Sequence, residues 1–149
     1  MEGTVTKRES FKSITISLLG ILITSLIFMA ISFLLYYLLF TLIETAFNND
    51  KTYSFVSIIR IGIGILIFIL FILVNRSKAN RIIKSSLFCC AISVILIGIG
   101  VQLHEYQIMF YITTIVLYLI CVFVLIVRKK EWVYYYSLGL AIIPVFMYL

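Results

Sequence analysis

The sequence predicts an all-α integral membrane protein, a bundle of about five transmembrane helices with its N-terminus inside and its C-terminus outside; four spans are the alternative. Three observations carry this. The mean hydropathy is +1.21, and 64% of the 149 residues are apolar while 12% are charged, against the roughly half-apolar, quarter-charged make-up of a soluble domain. Whole segments are apolar on every side, where a soluble helix would alternate an apolar stripe with a polar face at a period near 3.6. The charges collect in short clusters between those segments, as loops beside spans do.

Met1 to Ser13 carries Lys7, Arg8 and Lys12 and reads as a short cytoplasmic tail. The run from Ile14 to Phe40 is uncharged over 27 residues, about 40 Å of helix and more than the ~30 Å hydrocarbon core requires. Tilt, or continuation past the membrane, absorbs the excess. The run is about twice as long as the apolar region of a cleavable signal peptide, and no small-x-small cleavage site follows, so it is expected to remain as an anchor. Tyr36 and Tyr37 near its far end fit an interfacial aromatic belt.

A polar loop, Asn48-Asn49-Asp50-Lys51-Thr52, precedes a second span from about Ser54 to Val74, which holds Arg60. The link Asn75 to Lys84 carries Arg76, Lys78, Arg81 and Lys84, and a third span follows from about Ser85 to Leu103. Gln102, His104, Glu105 and Gln107 mark a tight polar turn before a fourth span at about Ile108 to Val127. After Arg128-Lys129-Lys130-Glu131, the 18 uncharged residues Trp132 to Leu149 give about 27 Å of helix, just enough to cross. Pro144 removes a backbone hydrogen bond near the end of that fifth span. No linker divides the chain, so residues 1–149 form a single transmembrane domain.

Ten of the 12 Lys and Arg residues fall in the tail, the second-to-third link and the fourth-to-fifth turn, leaving Lys51 and Arg60 for the other side. By the positive-inside rule this places the N-terminus in the cytoplasm of a multi-pass cell-membrane protein. The formal charge of +6 is therefore topological: it holds loops beside anionic headgroups rather than marking a nucleic-acid surface. Abundant Ile, Phe, Tyr, Lys and Asn, residues with A/T-rich codons, point to a low-GC bacterium.

Arg60 is the foremost candidate site residue, because a guanidinium inside a span costs about 2.5 to 3.5 kcal/mol on insertion scales and marks a functional site by default. Its place six residues past Ser54, roughly 9 Å along the helix, also lets its side chain snorkel to the outer headgroups. Glu44, Asp50 and Glu105 lie on the same outer side as ion-pair partners, Glu44 and Glu105 being favoured by depth. Gly62 and Gly64 on the second helix and Gly98 and Gly100 on the third fall in the outer half, where small residues let backbones approach. The tightest contact between those helices is expected there. Ser13, Ser17, Gly20 and Thr24 recur at spacings of 4, 3 and 4, a small-polar seam of the kind that packs helices in lipid.

Cys89, Cys90 and Cys121 fall inside apolar runs without disulfide or zinc spacing and read as small buried hydrophobes, so no metal is expected. His104 beside Glu105 is the one imidazole–carboxylate pairing, in an outer turn with no nucleophile marked. A single His excludes bis-His haem and multi-His metal sites within one chain. There is no Gly-x-Ser-x-Gly and no P-loop. No cofactor is expected.

These features favour a non-enzymatic polytopic protein acting through another membrane component: an accessory, regulatory or immunity-type subunit whose partners are the bilayer and another membrane protein or itself. The alternative is a small homo-oligomeric transporter or channel for an anionic or lipid-like substrate, lined by Arg60, Glu44 and the first-helix seam. An intramembrane enzyme centred on His104 and Glu105 ranks third.

Overall fold

The computed structural model describes residues 2–46, 52–103 and 105–144, which are helical apart from the turns and include no strand. Helix α1 spans Glu2–Ala46, α2 Thr52–Arg76, α3 Arg81–Gln102, α4 Gln107–Val127 and α5 Trp132–Leu140. The first four are long and apolar enough to cross a bilayer, and the chain is a multi-pass, all-helical membrane bundle.

Spans two to four follow the uncharged runs to within a few residues, because the charged links that end each run also end each helix. The two ends of the chain add detail to the expected layout. The N-terminal tail is the opening of α1 rather than a separate segment; once a membrane helix exists, extending it adds one hydrogen bond per residue and needs no new nucleus. At the other end, α5 closes at Leu140, a turn covers Ala141 and Ile142, and helix resumes at Ile143 and Pro144. Its nine residues make about 14 Å of helix, less than half the hydrocarbon thickness. Pro144 has no N–H to offer the Leu140 carbonyl one turn earlier. The last helical bonds tighten accordingly: the Ile142 N–H reaches back to the Gly139 carbonyl at 3.3 Å. Residues 145–149 of the expected fifth span lie outside the described residues.

Local signals set the remaining boundaries. The Asn80 side chain accepts from the Ile82 N–H at 3.3 Å and caps α3. Helix α4 ends in a Schellman turn, in which the Lys130 N–H bonds the Leu125 carbonyl and the Lys129 N–H bonds the Ile126 carbonyl, each at 3.0 Å. Lys129 takes the left-handed position of that turn, at φ 47°, where glycine is the usual occupant.

Helix α3 is the centre of the bundle. Over half of its span (56%) is buried, compared with 11% for α1 and for α4 and 17% for α2. Its composition explains this. Ser85, Ser86, Cys89, Cys90, Ala91 and Ser93 are all buried, and they are small enough to admit neighbouring backbones where lipid supplies no hydrophobic drive for association. The row of Ser86 and Cys90 meets α1: the Ser86 hydroxyl donates to the Ile21 carbonyl at 3.3 Å, and the Cys90 sulfur lies 3.4 Å from the Ser32 hydroxyl. Cys90 and Ala91 also carry the α2 contact, through Ile59, Ile63 and Ile67. The row of Cys89 and Ser93 turns toward α5, packing with Tyr134 and Leu138 and directing the Ser93 hydroxyl to the Ala141 carbonyl at 3.5 Å.

Buried hydroxyls in hydrocarbon need partners. Ser25, Ser85, Ser86 and Ser137 meet this need by donating to carbonyls three or four residues earlier. Helix α4 is peripheral, burying only Phe110 and Leu125. Its lipid-facing side includes Ile108, 76% exposed, and Phe123, 67% exposed, surface that would aggregate in water and is at rest among acyl chains.

Both basic turns lie at one end, and side chains tie them together. Lys84 Nζ donates to the carbonyls of Asn75 at 3.2 Å and Ser77 at 2.7 Å. Lys130 Nζ donates to Asn75 Oδ1 at 3.3 Å, and the Tyr134 hydroxyl donates to the same oxygen at 3.5 Å. Lys130 also sits 4.9 Å from the centre of the Tyr134 ring, and Arg81 pairs with Glu131 at 3.4 Å on the surface. Beneath these contacts Phe71, Phe88 and Tyr134 stack in sequence, with centroids 5.4 and 5.9 Å apart, joining α2, α3 and α5.

Candidate functional site

At the end of the bundle away from the basic turns, α2 and α3 enclose a groove of about 350 Å³, open on one side, lined by Arg60, Gly64, Ile65, Phe68, Ile95 and Gly98 among others and reaching Gln102. The register of the two helices creates it. Ile59, Ile63 and Ile67 form the contact seam of α2, so Arg60, Gly64 and Phe68, each one residue further round, form a parallel stripe at one-turn spacing beside that seam. On α3, Ile95, Gly98 and Gln102 make the matching stripe. The glycines deepen the floor: a Cβ at Gly64 would meet nothing within 4 Å, and one at Gly98 would meet only the Cγ and Cδ of Arg60, both at 3.9 Å.

Arg60 is half-buried. Its aliphatic stem lies over Gly98, so the apolar part of the side chain is covered by protein, and the residue lines the groove. Among the described residues it makes no ion pair, the sole such pair being Arg81 with Glu131 at the opposite end. Glu44 and Glu105 are exposed and do not line the groove. His104 and Asp50 lie outside the described residues. The arrangement is that of a cation and an amide, Gln102, at the edge of an apolar trough. It can hold an anionic head beside an apolar body.

The four packing glycines separate. Gly64 and Gly98 share the groove, Gly100 is buried within α3, and Gly62 is exposed with nothing near its Cβ position. The α2–α3 seam in the chain runs through isoleucines and the Cys90–Ala91 pair instead, because on α2 the glycines Gly62 and Gly64 stand one position to either side of the buried Ile63. On α1, Ser17, Gly20 and Thr24 are half-buried; a Cβ at Gly20 would stand 3.5 Å from Ile82 Cδ1, which places the seam against the start of α3. The fully buried α1 positions are Ile21 and Ser25, one step further round.

A second, smaller cavity of about 100 Å³ opens at the basic end between Ser13, Ser17, Arg81 and Trp132. Its one cation, Arg81, is already paired with Glu131. Cys89 and Cys90 are buried free thiols and Cys121 is half-buried. No group of three or more His, Cys, Asp or Glu residues among the described residues is arranged to hold a metal ion.

Two residues of functional interest carried little signal. Gln102 looked like part of a turn, yet it ends α3 within reach of the groove. Asn75 looked like the start of a basic link, yet it is the acceptor on which Lys130 and Tyr134 converge; an amide bordering a basic cluster was the available hint. No protein-family model, curated protein or solved structure matches the chain.

Proposed function

We propose that this chain is a non-enzymatic polytopic protein of the cell membrane that acts by lateral contact with another membrane component, as an accessory, regulatory or immunity-type subunit. The contact surface in this reading is the α2–α3 groove. One observation carries it: a half-buried arginine, Arg60, lines an open apolar trough and makes no ion pair among the described residues. Such a cation is costly within a span, and pairing with an external group offsets the cost.

The test is a photo-activated cross-linking residue placed at Ile65 or Ile95 in the groove, with Phe33 on α1, 72% exposed, as the lipid-facing control. A discrete adduct from the groove positions, weakened by Arg60→Ala and partly kept by Arg60→Lys, is the expected outcome. Equal adducts from groove and control positions, or indifference to Arg60→Ala, would remove the groove from the function.

The cytoplasmic placement of the N-terminus belongs to the same proposal and is supported by the grouping of basic turns at one end of the bundle. Reporter fusions at Met1 and within the 128–131 turn should report the same, cytoplasmic compartment. A small homo-oligomeric transporter for an anionic or lipid-like substrate is the second reading, favoured by the same cation. It requires a neighbouring copy to close the groove, so a strictly monomeric species in lipid nanodiscs argues against it.

A further inference from the structure

Resting on that contact reading, the chemistry of the groove also identifies an occupant. We infer that the groove binds an anionic phospholipid, its phosphate held by the Arg60 guanidinium and the Gln102 amide and one acyl chain lying along Ile61, Ile65, Phe68 and Ile95. Charge is the first argument. The described residues give Arg60 no anion, and a planar guanidinium fork matches phosphate oxygens in a bidentate fashion.

Polarity along the groove is the second argument. Gln102 is the last residue of α3, at the boundary where headgroups lie, and Arg60 is two turns inside the start of α2. From there the floor is apolar as far as Phe68, about 12 Å along the helix. A head-to-tail gradient of this kind is the signature of an amphiphile. Shape is the third. Because α2 and α3 already touch through Ile63, Ile67, Cys90 and Ala91, the groove is a crevice between contacting helices. Its glycine floor admits a hydrocarbon chain.

Two variants separate head from tail. Arg60→Ala removes the phosphate partner, while Gly64→Leu fills the trough from a position where the added atoms meet nothing within 4 Å at Cβ and leaves the cation in place. Wild-type and variant proteins are reconstituted in nanodiscs of equimolar phosphatidylglycerol and phosphatidylcholine, released, and weighed by native mass spectrometry, with circular dichroism as the folding control. The wild type should retain phosphatidylglycerol over phosphatidylcholine by about tenfold, the ratio that corresponds to ~1.4 kcal/mol and lies within the reach of one charge-assisted hydrogen bond. Arg60→Ala should abolish the preference, Arg60→Lys should keep part of it, and Gly64→Leu should lower retention of both lipids.

Equal retention of the two lipids by the wild type, or an unchanged preference in folded Arg60→Ala, overturns the proposal. So does displacement by excess inorganic phosphate, which would mark a simple anion site. An Arg60-dependent mass of a second copy or another protein overturns the lipid but leaves the contact reading standing. If no species depends on Arg60, both fall.

Discussion

At the basic end of the bundle Lys130 and Tyr134 tie the α4–α5 turn to Asn75 of the α2–α3 turn, which Lys84 braces from within through two further hydrogen bonds, whereas at the opposite end Arg60, Glu44 and Glu105 make no ion pair among the described residues. The same two helices, α2 and α3, run through both ends. Near the basic turns their partners are aromatic rings and small buried residues; near Arg60 an open trough runs beside their seam. On the proposed reading, stability and contact chemistry are divided along the length of the bundle. One end supplies fixed geometry, and at the other Arg60 and Gln102 border the trough.

Four measurements break or sharpen that contrast, each read as thermal or denaturant unfolding in a single mild detergent. Leu96→Ala, at a side chain with no exposure in the α3 core, should have the largest effect, about 2 to 5 kcal/mol of destabilisation, whereas Leu119→Ala on the lipid face of α4, 62% exposed, should stay within about 0.5 kcal/mol. Equal losses at the two sites would mean that α3 is not the centre of packing. Asn75→Ala should cost about 1 to 2 kcal/mol by stranding the donors of Lys130 and Tyr134, and Arg60→Ala should cost less than that. A reversed order would place the structural tie at the wrong end.

Lys129→Gly should stabilise by about 1 kcal/mol, because a non-glycine residue in the left-handed region carries a steric penalty that glycine lacks. No gain would indicate that the charge at the end of α4 compensates through the helix dipole. Glu131→Gln should matter least. Its pair with Arg81 is more than half exposed on both sides, and such pairs contribute at most about 1 kcal/mol.

The spans were legible because charge clusters bound the apolar runs, and hydrocarbon tolerates no other arrangement for runs of that length. The turn at Ala141 and Ile142 that interrupts the last segment was not, since an uncharged stretch says nothing about it and only Pro144 hinted at it. Which face of each helix packs was harder still. In lipid both the buried and the exposed faces are apolar, so hydrophobic periodicity is silent, and small residues are the remaining guide. Ser85, Cys89 and Ser93 recur every four residues, as do Ser86 and Cys90. That signal for the centre of the bundle is present in the sequence, but it is divided between serine and cysteine, two residue types that no single pattern joins. The glycine pairs drew attention instead, and one member of each, Gly64 and Gly98, borders the groove, while Gly62 is exposed and Gly100 is buried within α3. Arg60 was legible as a candidate because charge in a span is rare, while its setting depended on a register that no run of residues displays.

The central position of α3 also has a bearing on biogenesis. A ribosome delivers α1 and α2 to the bilayer first, and chains assemble from the N-terminus as they emerge. Until residues 81–102 follow, Ser25 and Ser32 on α1 and Ile59, Ile63 and Ile67 on α2 lack the helix against which they finally pack. The nascent protein therefore passes through an interval in which two inserted helices await their template, and surveillance proteases have their best opportunity during that interval. A chain truncated before α3 should be cleared rapidly, whereas one lacking only α5 would survive longer.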